Sequence, residues 1–359
     1  MKVFSLLLLL ACPFLSPQAW GKRISASFEF QFEDKTLRGL IEKAEGQPSQ
    51  ALVIIVPGYG PTDFVEGQWF SQLRDHFVQI GLTVVLWDKM GCGKSEGEFD
   101  IQQPVESSAR EALAAIEEIK RRKLEGYQKI GLWGISRAGW ICPLIIREFP
   151  AAFWISASGT DDKENYGYLL RENLLIAGKT EGEAEQLYKA WLAGHKVQCT
   201  AGTYEEYLRA IKPLTEDSLC QQLFNYTPVK EITEAGKLAY QQEIQNYTRK
   251  GYFDEGSGLW VYIKDFDQLL QQIECPVLAV FGENDSQVDW RKTKRLYESS
   301  IAASQNAQLT TKVFEQCNHS MQKCISCAYG ENLSALNWQA CNNYYETITD
   351  WLGEYGIIR

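Results

Sequence analysis

A serine hydroxyl attacks an acyl carbonyl only when a base takes its proton and hydrogen-bond donors receive the charge that builds on the carbonyl oxygen. One serine in this chain stands where both could be arranged. The strand-patterned run Ile130-Gly131-Leu132-Trp133 continues into Gly134-Ile135-Ser136-Arg137-Ala138-Gly139 and then into the helix-prone segment Trp140 to Glu148. A serine on so sharp a strand-to-helix turn needs small residues two positions before and after it, because larger ones would collide. Gly134 and Ala138 meet that need, although glycine is usual where Ala138 stands, and a turn residue or helix cap would also fit Ser136. The backbone N–H of Arg137 would then be one oxyanion donor. The second belongs on a loop after an earlier strand, which makes Pro57-Gly58-Tyr59-Gly60 the place and the Tyr59 N–H the candidate. Only the backbone of Arg137 enters this reading; its side chain is taken as a surface charge.

The base must come from three histidines, His76, His195 and His319. His76 falls in a helix patterned by Trp69 and Leu73, and His195 ends another, so both read as surface or capping residues. His319 lies in the loop Cys317-Asn318-His319-Ser320 after an apolar strand, where it could swing onto Ser136. An acid that orients the imidazole and stabilises its protonated form is needed as well. Asp285 fits best, because Gly282-Glu283-Asn284-Asp285 follows the strand Val277 to Phe281 at its carboxyl end; Asp289, Asp161 and Asp162 are the reserves.

These residues need a scaffold, and the pattern of the chain describes one. Ser25 to Phe32 alternates polar and apolar residues, the period of a half-buried strand, and Leu37 to Ile41 is its expected partner. Ala51 to Val56, Thr83 to Trp87, Lys129 to Trp133 and Ala152 to Ala157 are short apolar runs of the kind found in parallel sheets covered on both faces. Helical spacing over Gln68 to Ile80, Ser107 to Arg122 and the segment after Ser136 fills the gaps between them. The alternation predicts an α/β doubly wound, mostly parallel sheet. From about Gly159 to Asp267 the pattern is almost wholly helical, including Tyr166 to Ile176, Glu181 to Leu192 and Tyr204 to Ile211. Strand texture resumes at Pro276 to Phe281 and Leu309 to Phe314 before a closing helix through Tyr344 to Leu352. The expected division is a signal segment 1–21, a core 22–158, a helical cap insertion 159–267, and the rest of the core 268–359. Tyr166, Tyr168, Trp191, Trp260 and Tyr262 are candidates to wall an acyl pocket, or are simply cap core.

In chain order the three groups run Ser136, Asp285, His319, which is the order of the α/β-hydrolase superfamily, and the chain resembles that superfamily over nearly all of its length outside the cap. Within it, Pro57-Gly58-Tyr59-Gly60-Pro61-Thr62-Asp63 and Trp87-Asp88-Lys89-Met90-Gly91-Cys92-Gly93-Lys94-Ser95-Glu96-Gly97 resemble the GSGPTDRDG and DKRGxGxS blocks of a group of bacterial serine esterases. The resemblance implies Ser136 as nucleophile, His319 as base, Asp285 as acid, and Tyr59 and Arg137 as oxyanion donors. It also implies carboxylic-ester hydrolysis through an acyl-enzyme, with no metal or organic cofactor. The departures are Tyr59 in place of a small residue, Phe64-Val65 in place of Arg-Asp, and Arg137-Ala138 after the serine. Thioester or amide hydrolysis and acyl transfer could use the same groups, and a catalytically inactive hydrolase scaffold that only binds is the reading from another class. The stretch Gly91-Cys92-Gly93-Lys94-Ser95 lacks the spacing of a phosphate loop and reads as a loop shaping the site.

Composition agrees with a folded exported protein that acts on a small molecule. With 359 residues, 36 Lys and Arg against 46 Asp and Glu, and no basic run, the chain has no electrostatic footprint for nucleic acid. Met1-Lys2, an apolar run from Val3 to Leu15 and the small-residue stretch before Lys22-Arg23 have the layout of a cleaved signal, and the run is too short to span a membrane. A secreted or periplasmic location follows, with lipid anchoring at Cys12 as the lesser alternative. Ten cysteines are present. Removal of Cys12 leaves an odd count, hence at least one thiol. Cys199 and Cys220 could pair, and Cys317, Cys324, Cys327 and Cys341 could make two bridges. Cys324-Ile325-Ser326-Cys327 has CxxC spacing, for which a structural disulfide is preferred over a redox dithiol or half a zinc site. Cys142 and Cys275 read as small core residues. Asn225, Asn246, Asn318 and Asn332 open N-x-[ST] sites that matter only in a glycosylating host.

Overall fold

The computed structural model describes residues 21–248, 251–304 and 307–359, so the expected signal segment, apart from Gly21, and Cys12 lie outside the described residues. An eight-stranded sheet runs through the molecule. It is built from β1 (Arg23–Phe32), β2 (Lys35–Ala44), β3 (Ala51–Val56), β4 (Leu82–Trp87), β5 (Ile130–Ile135), β6 (Trp154–Ala157), β9 (Val277–Gly282) and β10 (Leu309–Phe314), in the spatial order β1-β2-β4-β3-β5-β6-β9-β10. β1 pairs antiparallel with β2 and β2 with β4, and every other pairing is parallel. The expected strands therefore all form, and β5 continues two residues past its expected end, up to the turn that holds Ser136.

Both faces are covered, as wholly apolar strands require. Along β3, Leu52, Ile54 and Val56 join one core while Val53 and Ile55 join the other. Along β9, Val277, Ala279 and Phe281 alternate in the same way with Leu278 and Val280. Helices α2 (Val105–Arg122) and α3 (Ala138–Glu148) close one face through Ile116, Ile119, Ile141 and Ile145. Helices α1 (Ser71–Gln79) and α12 (Tyr344–Glu354) close the other through Leu73, Phe77, Trp351 and Leu352.

Between β6 and β9 the chain leaves the sheet. Helices α4 (Tyr166–Ile176), α5 (Glu181–Cys199), α6 (Tyr204–Ala210), α7 (Lys212–Glu216), α8 (Ser218–Phe224) and α9 (Glu234–Thr248) follow one another. Leu170, Leu174, Leu187, Trp191, Ile211 and Leu214 give this segment an apolar cluster of its own. Thr180 with Glu183 and Thr203 with Glu206 form capping boxes that set the starts of α5 and α6. The segment is not all helix. β7 (Tyr252–Asp254) and β8 (Leu259–Val261) make an antiparallel hairpin, because the Asp254 carboxylate gathers the N–H groups of Gly256 and Ser257 into a turn that Gly258 completes at φ +72°. Helices α10 (Phe266–Gln271) and α11 (Trp290–Ser300) then flank β9. No helix among the described residues is long and apolar enough to cross a membrane.

Candidate active site

Parallel strands bring their carboxyl ends to one edge, and the candidate residues gather there. Ser136 follows β5 directly with φ +57°, a left-handed conformation that a non-glycine residue adopts only when its surroundings impose it. Its N–H donates to the Ala157 carbonyl at 3.0 Å and its carbonyl accepts from Gly139 N–H at 2.7 Å, which pins both sides of the turn. The need for small neighbours is visible in the packing. A Cβ at Gly134 would lie 2.9 Å from that of Ala138 and 2.6 Å from Cys142 Sγ. Gly58 passes less tightly on the other side, where a Cβ would stand 3.0 Å from the Ile135 carbonyl oxygen and 3.3 Å from the Cβ of Ser136.

The structure pairs His319 with Asp285. Their side chains are buried, and His319 Nδ1 lies 2.8 Å from Asp285 Oδ2. A carboxylate accepts here, so Nδ1–H is the donor, and in the neutral ring that leaves the lone pair on Nε2. Asp285 Oδ1 accepts from the N–H groups of Gln287 at 2.8 Å and Val288 at 3.0 Å, which fixes the carboxylate plane. The two loops meet because Gly282 has no side chain: a Cβ there would come within 2.3 Å of the Asn318 carbonyl. The Asn284 N–H donates to the Cys317 carbonyl at 3.0 Å, and a Cys317–Cys341 disulfide closes the histidine loop from outside. Among the described residues no hydrogen bond joins the Ser136 hydroxyl to the His319 ring.

The reserve acids have other work. Asp289 caps α11, accepting from the N–H groups of Arg291 and Lys292. Asp161 accepts from Lys163 N–H and the Asn165 amide, and burial pushes its carboxyl up to about 6. Asp162 pairs with Lys163. The two other histidines are set differently from the expectation. His195 is buried, not at a surface, and pairs with Glu164, since the helix α5 that holds it lies under the hairpin and α4. His76 is half-buried, stacked on Tyr345 and hydrogen-bonded to the Thr349 hydroxyl at 3.0 Å.

Among the described residues the N–H groups of Tyr59 and Arg137 donate to no protein acceptor, as two donors reserved for an oxyanion would. A residue that the motifs did not single out holds the first of them in place. The buried Lys89 ammonium donates to the carbonyls of Gly58 at 2.6 Å and Gly60 at 2.7 Å, bracketing Tyr59. Burial and the charge of Arg137 push Lys89 down to about 8. Its neighbour Asp88 binds the N–H groups of Phe64 and Lys94, so Phe64, which departs from the esterase block, is tied through its backbone while its ring packs in the core. Asp88, Lys89 and the stretch to Ser95 thus shape the site as structural parts.

Ser136 opens into a cavity of about 420 Å³, lined also by Tyr59, Arg137, Trp140, Tyr166, Tyr262 and Tyr329 among others. A groove of about 570 Å³ on the outer side between α2 and α3 contains none of the candidate groups. Of the five aromatic candidates for a pocket wall or cap core, Tyr166 and Tyr262 line the cavity. Tyr168 instead donates its hydroxyl to the Asp285 carbonyl at 3.0 Å, and Trp191 stacks on His195 inside the helical segment. The Arg137 side chain is not a surface charge. It lines the cavity and donates to the Ser108 hydroxyl at 3.1 Å and to the Gln103 carbonyl, because the turn at Ser136 aims it back over the segment leading into α2. Cys199 and Cys220 remain thiols, Cys199 against His195 and Cys220 buried among the helices, so the expected pairing does not occur. Cys324 and Cys327 form the second disulfide. Cys142 and Cys275 are buried thiols.

A family model described as serine aminopeptidase, S33, matches residues 47–323. A polyketide transferase, claH, of Penicillium crustosum is 34% identical over 117 residues, which span 30% of this chain and 35% of that protein, so the match covers about a third of that relative. In fold the chain is similar to the esterase Pf2001 of Pyrococcus furiosus, with a TM-score of 0.50 at 13% identity over 92% of each chain. It is similar also to a proline iminopeptidase of Mycobacterium smegmatis, with a TM-score of 0.50 at 15% identity over 92% of this chain and 98% of that one. At such identities the likeness speaks for the fold alone. The family match, by contrast, takes in most of the chain, from before β3 to beyond His319: the chain belongs to the S33 serine hydrolase family of the α/β-hydrolase superfamily.

Proposed function

We infer that the protein is an exported hydrolase of carboxylic esters that works through an acyl-enzyme on Ser136. The observation that carries this reading is the buried Asp285–His319 pair at 2.8 Å, at the same strand edge as a serine held at positive φ. In the reaction His319 Nε2 takes the Ser136 proton as Oγ attacks the acyl carbonyl. The N–H groups of Tyr59 and Arg137 receive the oxyanion, and protonated His319 gives its proton to the leaving oxygen. Water then repeats the sequence and releases the acid. The reaction needs a Ser136–His319 hydrogen bond that this structure does not contain, a contact of the kind that often forms only when substrate arrives. An ester is preferred to the aminopeptidase substrate that the family description names. Recognition of a free amino terminus needs an available carboxylate, whereas Glu164 in the cavity lining is engaged by His195 and by Trp260 N–H, and the prominent charge there is the cation of Arg137. The helical segment 159–267 is read as a cap over this pocket. The layout of residues 1–21 and two disulfides near the C-terminus support export.

The test is hydrolysis of p-nitrophenyl esters of increasing chain length by the mature protein and by its Ser136→Ala and His319→Ala variants. Wild-type turnover is expected, with a loss of at least about 10³-fold in kcat in each variant. A fluorophosphonate should label Ser136 in the wild type. Full activity in Ser136→Ala, or labelling elsewhere with Ser136 untouched, would end this assignment.

A further inference from the structure

The guanidinium of Arg137 has five N–H donors. Its hydrogen bonds to protein go to two neutral acceptors, the Ser108 hydroxyl and the Gln103 carbonyl. Among the described residues no carboxylate forms an ion pair with it, and Glu106 and Glu111 act on it only from a distance. Glu111 is itself buried and accepts from the Trp87 indole at 2.7 Å. A second cation lies close by. Lys89 shares with Arg137 a small hollow beside the main cavity; Asp100 also lines it but forms no ion pair with either among the described residues, and the Lys89 ammonium is satisfied by carbonyls. Lys89 is buried and Arg137 half-buried at the cavity wall, and among the described residues neither has a carboxylate within ion-pair distance, an arrangement that a negative group arriving in the cavity would complete.

The position of the charge says where on the substrate that group would be. The backbone of Arg137 is placed to bind the acyl oxygen, and its side chain turns toward the segment after β4, where it meets Gln103 and Ser108. His319, which would protonate the leaving group, follows β10 on the opposite side of β5 in the sheet. The cation therefore faces the acyl part and not the alcohol. We propose that the preferred substrate is an ester whose acyl chain ends in a carboxylate, the monoester of a dicarboxylic acid, with that carboxylate held by the Arg137 side chain. The proposal rests on Ser136 being the nucleophile.

The experiment compares phenyl monoesters of the dicarboxylic acids from glutaric to suberic with phenyl esters of unsubstituted acids of the same carbon number. It uses wild type, Arg137→Gln and Arg137→Lys, each first checked for folding by thermal melting. Wild type is expected to favour the anionic member of at least one pair by about 10- to 100-fold in kcat/KM, the worth of a hydrogen bond to a charged group. Arg137→Gln, which keeps amide donors for Gln103 and Ser108, should bring the ratio close to one, and Arg137→Lys should retain part of it. Because each variant is judged by a ratio, any general loss from disturbing the oxyanion backbone cancels. A wild-type ratio at or below one at every length overturns the proposal, as does a preference that survives in Arg137→Gln, or labelling of Ser136 by a fluorophosphonate with no turnover of any anionic ester. If neither turnover nor labelling occurs, the hydrolase reading itself fails and takes the proposal with it.

Discussion

Gly134 sits where the strand holding Ser136 meets the helix behind it, and the space left for a side chain is negative. A methyl group there would stand 2.6 Å from Cys142 Sγ and 2.9 Å from Ala138 Cβ, both on α3. Gly134→Ala is therefore expected to destabilise the protein by about 1–3 kcal/mol through overpacking, read as a lower melting temperature. Cys142→Ala made in the same chain should recover part of the loss, since it removes the nearer atom, and a strictly additive double variant would refute this account. The residue scale also shows what spacing alone reveals. Gly134, Ser136 and Ala138 were readable because steric tolerance at a turn is a local property of neighbouring residues. The Arg137 side chain and Lys89 were not, because their partners, Gln103 and the carbonyls of Gly58 and Gly60, lie about 30 residues away along the chain and meet them only through the sheet order.

The loop after β10 presents His319 without a regular element to hold it, so cross-links and turns carry that duty. Asn318 Oδ1 accepts from the N–H groups of Ser320 and Gln322, and the Cys317–Cys341 bridge ties the base of the loop to the start of α12. A cross-link spanning 24 residues in sequence restricts the unfolded chain enough to contribute about 3 kcal/mol on the loop-entropy model. Joint replacement of Cys317 and Cys341 by serine should lower stability by about 2–4 kcal/mol and reduce kcat, because the histidine lies two residues from the bridge. Unchanged melting and turnover would show that the loop is held by its turns alone. The strands and the long helices of the core were legible because burial on two faces writes an apolar run and burial on one writes a period. The β7–β8 hairpin leaves no such mark, because three-residue strands are too short for either signature and the turn at Asp254 depends on a carboxylate bonding to nearby backbone. The partners of the four C-terminal cysteines were equally closed to inspection, since proximity in sequence does not decide which pairs meet.

Across the whole molecule, first and last helices of the core are joined through His76, stacked on Tyr345 and bonded to Thr349. Burial lowers its pKa from 6.5 to about 4, although the charge of Glu346 opposes the shift. The unfolded chain thus takes up a proton near pH 6.5 that the folded protein refuses until about pH 4. Stability from this group is whole above the upper value and falls as the pH drops through that window, by up to about 3 kcal/mol. Asp161, with its carboxyl pushed up to about 6 from 3.8, works in the opposite direction, since the folded state holds its proton more tightly. These two contributions oppose each other, so the contrast with His76→Gln is the informative measurement. That variant should lose less stability than the wild type on going from pH 6.5 to pH 4 in denaturant titrations; parallel curves would mean that His76 does not titrate as described. Another connection at this scale concerns α4, whose Tyr168 hydroxyl holds the carbonyl of Asp285 and whose Asn173 amide holds that of Ser286 at 3.0 Å. A segment that both lines the cavity, through Tyr166 and Leu169, and holds the backbone of Asp285 and Ser286 is not an interchangeable module. Anyone grafting a foreign helical segment onto this sheet to change what the cavity accepts would have to carry Tyr168 and Asn173 across with it, or expect the change to arrive with a slackened Asp285.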